Sequence, residues 1–385
     1  MKELSEIRQL IDKTDDEIKS AFIKRLELMK DVAEAKKRTD KPLNDAAREN
    51  SIVFRLTENT PENYARYIKE LYSVIFSASK AYQSELIGRT SATVDEIKAI
   101  VSGGLKSAPV RAAVACQGVA GANSGAAAKK LFPINEVTYF KNFEGVFSAV
   151  ERGLCEYGVL PIENSTAGSV SEVYDLMKKH DFHIVRAVKL SIEHCLAGVR
   201  GATAKDVKRV LSHPQALRQC AEYIKSHNFI AEEAANTAIA AMQAAEKGDK
   251  SVAVLCSAEC AEVYGLTVLE RGVQDEASNY TRFICIGKNV EIFSGSDKIS
   301  VMTTLPHRPG GLVNVLNGFA AQGLNLTKIE SRPVPNTDFE FMFYFDFEGE
   351  VNRPEVLDLI ASLENNSDKF VFLGAYKEIS WRGAL

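Results

Sequence analysis

The sequence predicts three folds in series: an all-α segment, an α/β domain and a small α+β domain of ferredoxin-like order. Three observations carry this. Residues 1 to about 88 show apolar residues at helical spacing and a single glycine, Gly88. From Val110 short apolar runs alternate with helical patterns. From Asp297 the order becomes strand, helix, strand, strand, helix, strand, which is βαββαβ. A chain of 385 residues is long enough for two or three such cores.

In the first segment, Leu4, Ile7, Ile11, Ile18, Phe22, Met29 and Val32 form one stripe, and Tyr64, Ile68, Leu71, Ile75, Ala78, Tyr82 and Leu86 a second. Between them, after Lys41-Pro42 as a breaker, Asp45 to Glu58 makes a shorter helix. The first helix exceeds thirty residues and cannot bury its own stripe, so pairing with another chain is expected. Four cations stand out: Arg8, Arg25, Lys36 and Arg48. Arg25 and Lys36 are eleven positions apart, roughly 20° from a whole number of turns and about 16 Å along the axis, with room for one small dianion between them. Arg8 lies about 25 Å and roughly 100° from Arg25, so it cannot grip the same ligand within its own chain; a symmetric partner could supply it.

Residues 88 to 108 read as a linker containing a short helix. Beyond it the strand candidates are VRAAVAC, YGVLPIEN, HIVRAVKLSI, CLAGV, RVLSHP, SVAVLC and RFICIG. Helices are expected over Ser124 to Leu131, Asn142 to Arg152, Ser169 to Lys179, Pro214 to Ser226 and Asn236 to Lys247, giving largely parallel sheets. The loops at strand ends are polar: GVAGANSG, ENSTAG, SHPQ and NYTRF. In such folds ligands bind beyond the carboxyl ends of strands, and ENST offers only side chains that hydrogen-bond.

Composition excludes several function classes. Charged residues are 25% of the chain and the net charge is −4, so no basic field favours nucleic acid. No run of 18 apolar residues appears, and the opening MKELSEIRQL mixes charges where a signal peptide would be apolar; no membrane partner is expected. Seven cysteines without a CxxC read as buried thiols of a reducing compartment, so a cytoplasmic location is expected. HDFH places His180 and His183 three apart, but without further ligands such a pair reads as surface. No metal or organic cofactor is implied.

EIRQLIDKTDDEIKSAFIKRLELMKDVAEAKK and KPLNDAAREN, with Ser79 and Gln83 four apart on the last helix, resemble the all-helical chorismate mutases over residues 3 to 87. The resemblance implies rearrangement of chorismate to prephenate by positioning and electrostatics. Arg25 and the other chain's Arg8 would hold the carboxylates, and Lys36 and Gln83 would donate to the ether oxygen. Arg48 and Glu49 would fix the ring end, supported by Asp45 and Ser79.

PIENSTAGSV, SHPQALRQC and NYTRF are similar, in that order, to the signature loops of prephenate dehydratases over residues 109 to 288. The implied fold is two α/β lobes flanking a cleft, like periplasmic binding proteins. The implied reaction removes CO₂ and the ring hydroxyl from prephenate, leaving phenylpyruvate. Thr281 would be an oriented hydroxyl donor, and Asn164 an uncharged reader of a carboxylate or hydroxyl. Ser165 and Thr166 would add donors, joined by Ser212, His213 and Gln215 from the facing lobe. Arg282 reads either as a carboxylate clamp or as a structural ion pair, and His213 either as a general acid or as a cap for the Pro214 helix. Backbone N–H groups at the start of a Ser169 helix would support ENST. Where the family has Gly-Ser/Thr-Tyr-Ser, this chain has Gly121-Ala122-Asn123-Ser124.

HRPGGLVNVLNGFAAQGLNLTKIESRP resembles the ACT domain, over residues 297 to about 380. That implies an L-phenylalanine site between paired domains, built from Gly310, Gly311, Leu312, Val313, Asn325, Glu330, Ser331 and Arg332. The three zones are thus expected at 1–90, 109–288 and 297–385, in a homodimer or higher homo-oligomer. One alternative is a ligand sensor, a two-lobed binding fold with an amino-acid domain and lapsed catalysis; Thr281 beside Arg282-Phe283 argues against it, because a pure binder needs no threonine there. The other is a chorismate mutase fused to a catalytically weak two-lobed ligand-sensing module, its dehydratase crippled by the Gly121-Ala122-Asn123-Ser124 loop.

Overall fold

A computed structural model of the chain describes residues 3–39, 45–87, 91–276, 278–305, 310–334 and 341–381; the predicted breaker Lys41-Pro42 and Gly88 lie outside these. The first zone is helical as expected: α1 (Leu4–Thr39), α2 (Ala46–Thr57) and α3 (Glu62–Ile87). α1 runs 36 residues without a break. Asp45 caps α2, its carboxylate accepting the Arg48 N–H at 2.9 Å. Both α1 and α2 pack on α3, yet Leu4, Ile11, Ile18 and Leu28 on α1 and Tyr64 and Leu71 on α3 stay exposed. The helix expected in the linker, α4 (Ala92–Ser102), is docked. Val94 and Ile97 enter the apolar core of the third domain, and Thr93 Oγ1 donates to Glu364 at 3.0 Å.

The middle of the chain forms two lobes. The first holds β1 (Arg111–Gln117), α5 (Asn123–Leu131), β2 (Ile134–Phe140), α6 (Phe143–Glu151), β3 (Tyr157–Asn164), β4 (Gly168–Ser169), α7 (Ser171–Lys179) and β5 (His183–Ser191). The second holds β6 (Cys195–Gly198), β7 (Arg209–Ser212), α8 (Pro214–Gln219), α9 (Ala221–Ser226), β8 (Ile230–Glu233), α10 (Thr237–Lys247), β9 (Val252–Cys256), α11 (Ala258–Val263) and β10 (Thr267–Arg271). The chain then returns to the first lobe as β11 (Tyr280–Gly287).

The sheets are mixed, not largely parallel. The return strand β11 enters between β3 and β5 and runs antiparallel to both, while β1 pairs in parallel with β2 and β3. In the second lobe β6 is antiparallel to β9 and β10, and β7 is parallel to β8 and β9. The helix expected over Pro214 to Ser226 breaks at Cys220, whose thiol is buried and whose backbone (φ −121°, ψ 26°) leaves the helical region. All seven cysteines are buried free thiols.

The third domain has the expected βαββαβ order: β12 (Lys298–Thr304), α12 (Gly311–Ala321), β13 (Leu326–Pro333), β14 (Phe341–Glu348), α13 (Pro354–Asn365) and β15 (Phe370–Tyr376). Its strands lie in the order β13-β14-β12-β15. A further strand, β16 (Glu378–Trp381), leaves this sheet and pairs in parallel with β5 of the first lobe. Met302, Met342, Tyr344 and Tyr376 share one apolar core with Leu160, Ile162 and Tyr174. At Gly374 (φ 148°) a Cβ would collide with the Ile184 backbone, so glycine is what lets β15 lie against β5. HDFH is no surface pair: His183 Nδ1 sits 2.9 Å from the Phe372 carbonyl at this junction. Among the described residues, no helix is long and apolar enough to cross a membrane, and no cluster of metal-ligating side chains occurs.

Candidate active sites

In the helical zone the α1–α3 contact brings Arg25 to Ser79, whose hydroxyl accepts from the guanidinium. The Arg25 cation also stands 5.6 Å from the Phe76 ring centre. Burial lowers its pKa, opposed by Tyr72 and Glu49. Gln83, one turn beyond Ser79, is buried; its amide N–H₂ meets Met29 Sδ at 3.2 Å and its Oε1 has no partner among the described residues. Glu49 on α2 pairs with Lys80 of α3 at 3.0 Å. Lys36 is half-buried, whereas Arg8 and Arg48 are exposed. Arg25, Glu49, Ser79 and Gln83 therefore converge from three helices, and Arg8 stays remote on the same unbroken α1.

In the α/β zone the convergence is centred on Asn164, at the end of β3. It is 8% exposed and fully engaged. Its amide donates to Asn279 Oδ1 at 2.9 Å, the Tyr280 carbonyl at 3.2 Å and Thr281 Oγ1 at 2.9 Å. Its Oδ1 accepts from Thr166 N–H (3.1 Å), Thr166 Oγ1 (2.7 Å), Ala167 N–H (2.9 Å) and Gln215 Nε2 (3.2 Å). Since Thr281 Oγ1 accepts from Asn164, its own proton is left without an acceptor among the described residues. Ser165 locks the loop to β11, exchanging hydrogen bonds with the Tyr280 backbone at 2.8 and 2.9 Å.

Two expectations, at Ser212 and at the Ser169 helix, need correction, and two alternatives, at His213 and Arg282, are decided. Ser212 is fully buried and donates to the Leu255 carbonyl at 2.6 Å, tying β7 to β9 instead of facing the cleft. His213 is a cap: its Nδ1 accepts the Gln215 N–H at 3.2 Å, which puts the ring proton on Nε2. Burial first, then Arg218, lowers its pKa against Glu233, so near neutral pH the ring is an uncharged donor and not a bulk acid. Arg282 takes the ion-pair alternative. It bonds Asp346, Glu378 and the Tyr376 hydroxyl of the third domain, on the face of β11 opposite Thr281. Burial alone would lower its pKa, but Tyr376, Asp346 and Glu378 raise it. Finally, the helix after ENST begins at Ser171, and the loop N–H groups turn inward to Asn164.

The third domain meets the first lobe through residues expected to bind an amino acid. Glu330 accepts from Ser169 Oγ at 2.6 Å, and Arg332 holds Asp175 at 2.8 Å and Ser171 at 3.1 Å. Lys328 donates to Glu163 at 2.8 Å, the neighbour of Asn164. Asn325 is occupied by Glu348 at 2.8 Å. Ser331 and Val313 face outward, and Gly310, at φ 83°, opens α12 in a conformation that side chains resist. Gly311 and Leu312 form its first turn.

Family models match the chain in three places: chorismate mutase type II over residues 7–84, prephenate dehydratase over 114–291 and ACT domain over 299–365. An arogenate dehydratase/prephenate dehydratase 2, chloroplastic, of Arabidopsis thaliana is 38% identical over 278 residues, covering 69% of this chain and 73% of that protein. The chain belongs to the prephenate dehydratase family. Among solved structures, the prephenate dehydratase of Arthrobacter aurescens, in complex with L-Phe, is 28% identical with a TM-score of 0.63, covering 69% of this chain and 89% of that one. A protein described as GqqA, a novel type of quorum quenching acylase, shares the fold at a TM-score of 0.65 and 29% identity, covering 69% of this chain and 98% of that one. With a chorismate mutase domain ahead of the dehydratase and an ACT domain behind it, this is a bifunctional enzyme of phenylalanine biosynthesis.

Two groups lining the dehydratase cleft, Asn279 and Gln219, and one buried behind them, His194, escaped sequence reasoning. Gln219 Oε1 receives Asn279 Nδ2 and His194 Nε2, each at 3.1 Å, and its Nε2 donates to Thr166 Oγ1 at 2.7 Å. Gln219 lies four positions after Gln215 on one helix face, which was the available signal. His194 sits where the chain crosses between lobes. Its backbone N–H donates to Gln274 Oε1 at 3.0 Å and its ring Nδ1 is buried without a partner among the described residues. Burial lowers its pKa, partly offset by Gln219. The unfolded chain therefore takes up a proton below about pH 6.5 that the folded chain refuses. The stability His194 contributes is full above that value and is lost as pH falls below it. In His194→Gln the melting temperature of the dehydratase unit should fall less between about pH 7.5 and about pH 5.5 than in the wild type. An equal fall in both would assign the acid sensitivity elsewhere.

Proposed function

We propose that the chain converts chorismate to phenylpyruvate at two separate sites and works as a homodimer in the cytoplasm. The observation that carries the dehydratase half is the Thr281 hydroxyl, held as an acceptor by the Asn164 amide and left, among the described residues, with its proton free. Such a hydroxyl donates to the ring hydroxyl as the latter departs, while loss of CO₂ drives the step. The neutral Nε2–H of His213 and the amides of Asn279, Gln215 and Gln219 bind the substrate's oxygens without adding titratable charge. The dehydratase unit is residues 109–288 completed by β16.

In the mutase half, Arg25 binds a carboxylate of chorismate. Lys36 and Gln83 donate to the ether oxygen as charge grows there, and Gln83, buried with an unsatisfied oxygen, is poised to orient its amide. Arg48 and Glu49 hold the ring end, with Asp45 setting the start of α2. The exposed apolar stripe of α1 is the face a second copy covers, and that copy brings its own Arg8. The deciding experiment incubates purified protein with chorismate and follows phenylpyruvate by its enol absorbance in alkali. No phenylpyruvate from either chorismate or prephenate overturns the proposal. The buried thiols suit a reducing compartment.

L-phenylalanine inhibits the dehydratase by binding the ACT domain at Gly310, Gly311, Leu312, Val313 and Ser331. Glu330 and Arg332 transmit the change, since they already grip the dehydratase lobe. Linkage then requires phenylalanine and prephenate to weaken each other's binding by the same factor. Ser331→Arg should release inhibition and leave uninhibited turnover within about twofold, because Ser331 faces outward. Normal inhibition in this variant would move the phenylalanine site away from β13. Deleting residues 297–385 is not a clean alternative, because it also removes β16 and the partners of Arg282.

A further inference from the structure

We propose that Arg218 is the cation that binds a substrate carboxylate in the dehydratase cleft and makes the site select a dianion. This rests on the dehydratase reading above. The cleft, of about 290 Å³, runs between the Thr166 turn, one face of α8 and the segment from Gln274 to Asn279. Gln215, Arg218 and Gln219 fall at i, i+3 and i+4 of α8 and so share that face. The two glutamines touch Asn164 and Thr166 directly, at 3.2 and 2.7 Å. Arg218 flanks them at the cleft wall, with no hydrogen-bonding or ion-pairing partner among the described residues.

Prephenate carries two carboxylates, and Arg218 is the one cation that lines this cleft among the described residues. The other groups built around Asn164 are amides and hydroxyls. Arg282, the sequence's candidate clamp, is turned away and neutralised by Asp346 and Glu378. Two acids also line the cleft, Asp275 and Glu276. Asp275 is committed to the first turn of α9, accepting the Glu222 N–H at 3.2 Å. Without Arg218 the charged groups lining the cleft would all be acids, and a dianion would meet no cation there. That its charge reaches the site is visible at His213, whose pKa it helps to lower.

The test uses the full chain, Arg218→Gln and Arg218→Lys, with prephenate and with its analogue bearing an ammonium in place of the side-chain keto group. A charge-assisted hydrogen bond to a carboxylate is worth roughly tenfold to a hundredfold in affinity. Arg218→Gln should raise KM for prephenate by about that factor, with kcat changed less than about threefold. It should lose less toward the amino analogue, whose net charge is smaller, and its kcat/KM should respond less to salt than the wild type's. Arg218→Lys should recover part of the loss, as a point charge without the bidentate fork. An unchanged melting temperature of the dehydratase unit confirms that the variant is folded. An unchanged KM in Arg218→Gln, or an equal loss toward both substrates with no change in salt response, overturns the assignment. A wild-type chain that does not dehydrate prephenate would defeat the functional reading itself, before Arg218 is altered.

Discussion

Thr281→Val is expected to abolish prephenate dehydration almost completely while chorismate rearrangement continues at the wild-type rate. Valine nearly preserves the shape of threonine, and Asn164 keeps two of its three donor contacts, to Asn279 and the Tyr280 carbonyl. The loop that Asn164 Oδ1 gathers, through Thr166, Ala167 and Gln215, is untouched. What disappears is one oriented O–H. Removing a positioned proton donor costs roughly 10²–10⁴ in rate. The mutase groups lie on α1, α2 and α3, which contribute nothing to the cleft, so their turnover normalises for the amount of chain in each preparation. A variant that keeps dehydratase activity within about tenfold of wild type, or about 1.4 kcal/mol, would remove Thr281 from the chemistry. The measurement is phenylpyruvate formation from prephenate, with chorismate consumption followed on the same preparation.

How far the cleft was legible follows from strand geometry. ENST announces itself because four polar side chains end an apolar run, NYTRF because polar side chains open the next one, and the structure joins them through the Asn164–Thr281 hydrogen bond. Which of two neighbours faces the cleft is harder, since alternation along a strand sends Thr281 and Arg282 to opposite faces. Choosing between them requires the register, and here a bulge sits between Arg282 and Phe283. The same ambiguity misplaced Ser212, two residues before the helix whose face lines the site. β16 was illegible for a different reason: four residues, Glu378–Trp381, gain their identity as a strand from β5, nearly two hundred positions earlier. The mixed sheets follow from that kind of long-range insertion and from the return of β11, neither of which local periodicity encodes. The helical zone was easier, because a 3.6-residue stripe is a local signal and α1 obeys it for 36 residues.

That uninterrupted α1 fixes the second large effect. Arg8 and Arg25 are seventeen positions apart on one helix, about 25 Å along its axis, and Arg25 is anchored against Ser79 and Phe76. One small dianion cannot touch both arginines of one chain. If Arg8 is catalytic, it serves the site of the second copy, across the exposed stripe that includes Ile11 and Ile18. Arg8→Ala and Arg48→Ala homodimers should then both be nearly inactive as mutases. In a heterodimer of the two, one site carries both defects and the other carries neither. Random pairing of equal amounts makes half the dimers mixed and restores roughly a quarter of all sites. Were Arg8 to act within its own chain, every site would keep a defect and mixing would restore nothing. Co-expression of the two variants, with prephenate formation measured per site, separates these cases. Recovery near one quarter establishes a shared site, and no recovery confines each site to one chain.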